Sequence, residues 1–98
     1  MLTMQSEQFE WDDTKAASNA AKHGVTFEDA QHVFTDPHAV EFSDTRCDYG
    51  EDRWIRVGMV GNRLLVVAVA FTERGHRFRI ISAMPAPKAL RQLYEEGT

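Results

Sequence analysis

The chain lacks most of what would place it outside a cell or in a membrane. A single cysteine, Cys47, stands among 98 residues, so no internal disulfide can form and a bridged secreted scaffold is excluded. No apolar run approaches the ~20 residues that span a bilayer. The opening MLTMQSEQ has neither the basic start nor the apolar stretch of a secretory leader. These absences predict a cytoplasmic protein without a membrane partner. Aromatic and β-branched residues are spread along the whole chain, which excludes a disordered or low-complexity segment. The four histidines and Cys47 show no metal-ligand spacing, so no metal and no cofactor are expected.

What is present suits one domain over residues 1–98, with one core and no linker. Hydrophobic residues make up 43% of the chain, enough to fold without staples. The net charge of −4 conceals a division. Residues 1–52 carry a balance of −9, whereas residues 53–92 carry +7 through seven arginines and Lys88 against Glu73 alone. Such asymmetry points to a polyanionic partner on one side of the molecule, or to two halves that neutralise each other. Charge alone leaves both readings open.

Periodicity divides the chain into elements. Gln8–Trp11 reads as a short strand with Phe9 and Trp11 on one side. Asp12 or Asp13 offers an N-cap for a helix running to His23, and Gly24 is placed to stop it. Thr26-Phe27-Glu28-Asp29 resembles a capping box before a second helix, with Phe27, Ala30, Val33 and Phe34 on one face. That helix ends before Asp36-Pro37. After Pro37 the period changes to two. Ala39–Phe42 is a short strand, 43–52 a charged loop, and Arg53–Val60 a half-buried strand. Gly61-Asn62 signals a hairpin with Gly61 at positive φ. Leu64–Phe71 is apolar on both faces, Glu73-Arg74-Gly75 turns the chain, and His76–Ala83 is the partner strand. Pro87 opens a last helix through Glu96. The order β-α-α-β-β-β-β-α predicts an α+β fold: two N-terminal helices and a C-terminal helix packed on a mainly antiparallel sheet.

Three segments carry a resemblance. FEWDDTKAASNAAKHGVTFEDAQHVFTDP, GEDRWIRVGMVGNRLLVVAVAFTERGHRFRIISA and RQLYEE, in this order, resemble the BrnT family of bacterial toxins over about residues 8–96. Each motif is weak by itself; the ordered set is specific. The resemblance implies a RelE-like fold and a ribonuclease toxin that cuts RNA without a metal. It also implies a BrnA-like antitoxin, through which alone the complex would reach operator DNA. The stretch Met84-Pro85-Ala86-Pro87 departs from the family's pattern. An arginine typical of the family is replaced by Met84, and a helix-capping threonine by Pro87. The departure keeps a second reading open, a weakened or inactive toxin homologue that binds its antitoxin in an autorepressor complex. An unrelated domain whose charge division drives self-association is a third.

RNA cleavage of the implied kind needs a base for the 2′-OH proton, cations for the charge building on phosphate, and an acid for the leaving 5′-oxygen. The residue types point to Glu73, Arg79, Arg53 and His23 for catalysis, and to Arg74, Arg77, Lys88 and Arg91 for RNA binding. On the strand 76–83 a period of two puts Arg77, Arg79 and Ile81 on one face, and His76, Phe78, Ile80 and Ser82 on the other. Two arginines so spaced form a row of ~7 Å, near the separation of consecutive phosphates. Each residue also has a plainer reading. The strand arginines would be solvated residues, Glu73 a solubilising turn residue, His23 a complement to the helix dipole, and Arg53 a partner of Glu51 or Asp52. Trp54 reads as a core or antitoxin contact, Tyr94 as helix packing, and His76 as a surface residue.

Overall fold

The computed structural model describes residues 2–4, 8–46, 48–61 and 64–97. Its elements are β1 (Leu2–Met4), β2 (Phe9–Asp12), α1 (Asp13–His23), α2 (Phe27–Ala30), a 3-10 turn (Gln31–Thr35), β3 (Val40–Ser43), β4 (Trp54–Val60), β5 (Leu65–Arg74), β6 (Arg77–Pro85) and α3 (Lys88–Glu96). The six strands form one sheet in the order β1-β2-β6-β5-β4-β3. It is a mixed sheet, because β2 runs parallel to β6 while every other pair is antiparallel. The α+β expectation agrees with this architecture.

Local chemistry explains the first helix. Asp12 caps α1 by accepting from the amides of Thr14 (2.8 Å) and Lys15 (3.1 Å), and Gly24 ends it at φ 72°, where a β-carbon would be strained. The second helix differs from expectation. Thr26 caps it through the amide of Asp29 at 3.0 Å, but after one α-turn the chain tightens into 3-10 geometry. The reason lies in the spacing. Phe27, Ala30 and Val33, all fully buried, recur every three residues, and the three-residue repeat of 3-10 geometry brings Val33 into line with Ala30.

The sheet separates two apolar layers. On one face α1, α2 and the 3-10 turn cover Phe9, Trp11, Val67, Val69, Ile80 and Ala83. Phe34 lies edge-on to Phe9 and Phe71, at centroid distances of 4.9 and 4.8 Å, and stacks on Phe78 at 5.1 Å. Gly58 permits this closeness, since a β-carbon there would meet Val33 Cγ1 at 3.0 Å. On the other face α3 covers Val57, Ala68 and Ile55 through Tyr94 and Leu90, with Ala86 of the segment before the helix. This second helix layer is short and leaves much of its face open.

Two local expectations are corrected. Gly61 does not take positive φ; in the β4–β5 connection Leu64 does, at 51°, while Asn62 lies outside the described residues. Pro87 is the residue before α3 rather than its first turn, and it supplies no capping side chain.

Candidate functional site

The candidate face follows from strand register. Residues opposite each other in an antiparallel ladder share a face of the sheet. Arg77 is paired with Arg74, Arg79 with Thr72, and Met84 with Ala68, so all lie on the face that α3 partly covers. One step beyond the Trp54–Phe71 pair, Arg53 comes level with Thr72, whose hydroxyl donates to the Asp52 carbonyl at 2.6 Å. From the other side, parallel pairing sets Glu10 opposite Arg79. Arg53, Thr72, Arg79 and Glu10 therefore make a row across the sheet, with Arg74 and Arg77 one rung further out.

Strict alternation along β6 ends at a bulge between Ala70 and Phe71 on the partner strand. Ile81 is the extra residue there, because Ile80 pairs with Phe71 and Ser82 with Ala70. A bulge reverses the parity of the residues beyond it. Ser82, expected on the opposite side from Arg79, is turned onto the same side, and Met84 with it.

The structure gathers four of the eight residues expected in the site. Arg53, Arg74, Arg77 and Arg79 meet at the end of the sheet away from α3. Two of them are internally neutralised: Glu51 accepts from Arg53 Nε at 3.0 Å and from Arg74 Nη2 at 3.4 Å. These two guanidiniums, Arg53's first, hold the Glu51 carboxyl below its usual range. Arg53 also lies 4.1 Å from the centre of the Tyr49 ring. Arg77 and Arg79 have no side-chain hydrogen bond or ion pair among the described residues, and Arg77 Nε is buried without an acceptor. The two readings of the charge division thus each hold for part of it, since Arg56 is also paired, with Glu41 at 3.0 Å.

The other four are elsewhere. Glu73 is opposite Phe78, exposed at the hairpin end and directed to the helix-covered side. His23 closes α1 on that same side, toward the end of β6 where Asn19 of α1 binds Ala83. It is not brought to the arginines. Lys88 and Arg91 lie exposed on one side of α3, at the opposite end of the candidate face. Of the remaining candidates, His76 is exposed in the β5–β6 turn and Trp54 half-buried on the helix-covered side. Tyr94 is a packing residue. Its hydroxyl donates to Asp36 Oδ2 at 2.7 Å, and burial together with that bond pushes the phenol up to about 12.

Between the arginine row and α3 lies a pocket that the sequence did not disclose. It encloses about 280 Å3. Ile55, Ala68, Ala70 and Met84 form its floor, Phe42 one wall, and Pro87 and Leu90 the α3 side. The loop after β3 closes the rim. There the Asp44 side chain, 1% exposed, accepts from Arg46 Nε and Nη2, each at 2.8 Å, and from the Tyr49 hydroxyl at 3.1 Å. Arg46 above all holds this carboxyl down at about 2. The one signal in the sequence was an Asp two residues before a turn amide, realised as Arg46 N–H donating to Asp44 Oδ1 at 3.2 Å.

This face combines cations that have no side-chain partner among the described residues with an adjoining apolar pocket, an arrangement able to hold a phosphodiester and one of its substituents. Among the described residues no helix is long and apolar enough to cross a membrane, and no three His, Cys, Asp or Glu side chains gather as metal ligands. No curated protein matches the chain. The family model for BrnT, the ribonuclease toxin of type II toxin–antitoxin systems, matches residues 11–89, a span that takes in every element from the end of β2 to the first turn of α3. The chain belongs to the BrnT family.

Proposed function

We propose that this chain is a metal-independent endoribonuclease toxin of RelE-like fold, which cuts RNA to block translation and is neutralised by a BrnA-like antitoxin. The observation that carries the reading is the presence of Arg77 and Arg79, without side-chain partners among the described residues, beside Arg53 and Arg74 on one sheet face of a BrnT family member. Guanidiniums in this position suit a phosphodiester, whose equatorial oxygens gain negative charge in the transition state. The RNA supplies its own nucleophile. The 2′-oxygen bonds to phosphorus as its proton leaves, the bond to the 5′-oxygen breaks, and that oxygen takes up a proton. The products are a 2′,3′-cyclic phosphate and a 5′-hydroxyl.

For the proton acceptor, Glu10 has a better position than Glu73. It is opposite Arg79 on the same face, whereas Glu73 would have to reach around the hairpin end. Arg79 is central to the row and stabilises the phosphate; Arg77, Arg74, Lys88 and Arg91 guide the flanking strand. The antitoxin would cover this cationic face with acidic side chains, and the complex would reach operator DNA through the antitoxin alone.

Incubation of the purified chain with RNA in EDTA tests the reading. Cleavage should proceed, leave cyclic phosphate ends, and fall by about 10²–10³-fold in Arg79→Ala, the loss typical of one transition-state donor. Cleavage that stops with EDTA, or that survives Arg79→Ala, refutes it.

A second reading has its own observation. Met84 presents an apolar side chain to the pocket floor, on the arginine face, where the family's pattern has a cation. A weakened toxin that keeps its antitoxin contact would result. Under this reading Met84→Arg switches cleavage on, and an unchanged Met84→Arg variant counts against it.

A further inference from the structure

We propose that the pocket between the arginine row and α3 is a nucleobase site, which holds one unstacked base of single-stranded RNA while the arginines hold its phosphate. The inference rests on the RNA reading above and gives it a specificity element.

Three features of the pocket select this occupant. Its size is one: at about 280 Å3 it lies just below the ~300 Å3 at which the range of small-molecule sites begins. It admits a planar ring with part of a sugar and is too small for a helix face. Composition is the second. The floor of Ile55, Ala68, Ala70 and Met84 is apolar, and Phe42, 36% exposed on the edge strand, stands as an aromatic wall. Around the rim are the hydroxyl residues Ser43, Thr45 and Ser82 and the Asp44–Arg46 pair. A base has the same division, with apolar faces and hydrogen-bonding edges. The third is position. Ser82 is paired with Ala70 on the rung next to Arg79–Thr72, and successive rungs on one face are ~7 Å apart. A phosphate at Arg79 and a base over Ala70 are thus within one nucleotide of each other.

The bulge at Ala70/Phe71 is what builds the site. It turns Ser82 and Met84 into the pocket; unbroken alternation would have put Ser82 under the helices. The rim is also fixed before any ligand arrives. Asp44 is buried with its bonds to Arg46 and Tyr49 formed, and its amide donates to the Arg53 carbonyl at 2.8 Å. The loop that shapes the pocket is therefore tied to the start of β4, beside the arginine row.

The test compares a short oligouridine ribonucleotide with its abasic counterpart, which keeps every phosphate, by fluorescence anisotropy. The wild-type chain should bind the abasic strand about tenfold more weakly, in keeping with one base–aromatic contact. Ala70→Leu fills the floor and Phe42→Ala removes the wall; each should bind both strands alike, at the abasic level. Phe42 is a surface residue, so that variant stands even if Ala70→Leu does not fold. Equal wild-type binding of the two strands, or discrimination that persists in Phe42→Ala, overturns the proposal, leaves the RNA reading intact and favours a protein segment as occupant. If neither strand binds, the RNA reading falls, and free adenosine decides for the pocket. Shifts of the Ala70 and Ser82 amide signals that vanish in Phe42→Ala uphold it; unshifted signals overturn it as well.

Discussion

Asn19 and Ala83, 64 positions apart in sequence, exchange two hydrogen bonds: the Asn19 amide donates to the Ala83 carbonyl at 2.7 Å, and its oxygen accepts from the Ala83 amide at 3.1 Å. The pairing completes the sheet where β2 ends. β2 covers the edge of β6 only at Phe78 and Arg79, and beyond them the backbone needs another partner. A helix side chain supplies it, and also donates to the Val25 carbonyl at 3.0 Å.

Replacing that side chain should be costly. Asn19→Ala leaves one buried amide and two carbonyls unpaired, each worth ~1–3 kcal/mol. A loss of about 3 kcal/mol is expected, read as a lower urea midpoint at unchanged slope. A change below about 1 kcal/mol would mean that water satisfies these groups.

Glu51 lies between Arg53 and Arg74 and pairs with both, in the place that the proposed RNA reading gives to a phosphate. Glu51→Gln should therefore tighten oligoribonucleotide binding several-fold at low salt. Two more cations then face the RNA, and the slope of log affinity against log salt should steepen by about 0.7 to 1.4. Titrations at several salt concentrations give both quantities; an unchanged slope would remove Arg53 and Arg74 from the RNA track.

Two groups set opposite limits on the pH range of stability. The Asp44 carboxyl, held at about 2 by Arg46, is lower folded than unfolded, near ~3.9. Its contribution is complete above pH ~4 and is lost as pH falls through about 2, by about 1–2 kcal/mol once the exposure of Arg46 is discounted. The Tyr94 phenol, pushed up to about 12, behaves in the reverse sense: its contribution is complete below pH ~10 and lost above. Denaturation curves across pH should show both losses, with Asp44→Asn flattening the acid limb and Tyr94→Phe the alkaline one.

Helix α3 begins without a side-chain cap, since Pro87 occupies that position. Pro87→Ser should add a bond to the first-turn amides worth about 0.5–1 kcal/mol, and so raise the melting temperature by a few degrees. Serine's looser backbone in the unfolded chain offsets part of the gain. Thermal denaturation measures the net effect, and a lower melting temperature would show that the proline's rigidity outweighs the cap.

Elements governed by near neighbours were legible in the sequence. The Asp12 cap, the Gly24 stop and the alternation of β4 depend on groups within a few residues, and each has a recognisable pattern. The second helix was legible in place but not in pitch. A three-residue recurrence of Phe27, Ala30 and Val33 suits 3-10 and α-helical geometry alike, and Phe34 beside Val33 gives the same stretch the look of an α-helical face. Within the site, Arg77 and Arg79 were legible as a row because a strand alternates. His23 and Glu73 were drawn in by residue type, and residue type carries no information about the side of a sheet.

The sequence by itself thus determined the element types, the α+β class, the family motifs and the concentration of cations after residue 52. Tertiary structure decided which of those cations lack a side-chain partner among the described residues. The sheet order β1-β2-β6-β5-β4-β3 settles which edges meet, and the bulge settles which way Ser82 and Met84 point. The fold brings Arg74 to Glu51, 23 positions away in sequence, while Arg77 and Arg79 have no such partner among the described residues. Each depends on contacts between distant segments. Strand pairing follows the burial of whole faces, which no local window of sequence contains.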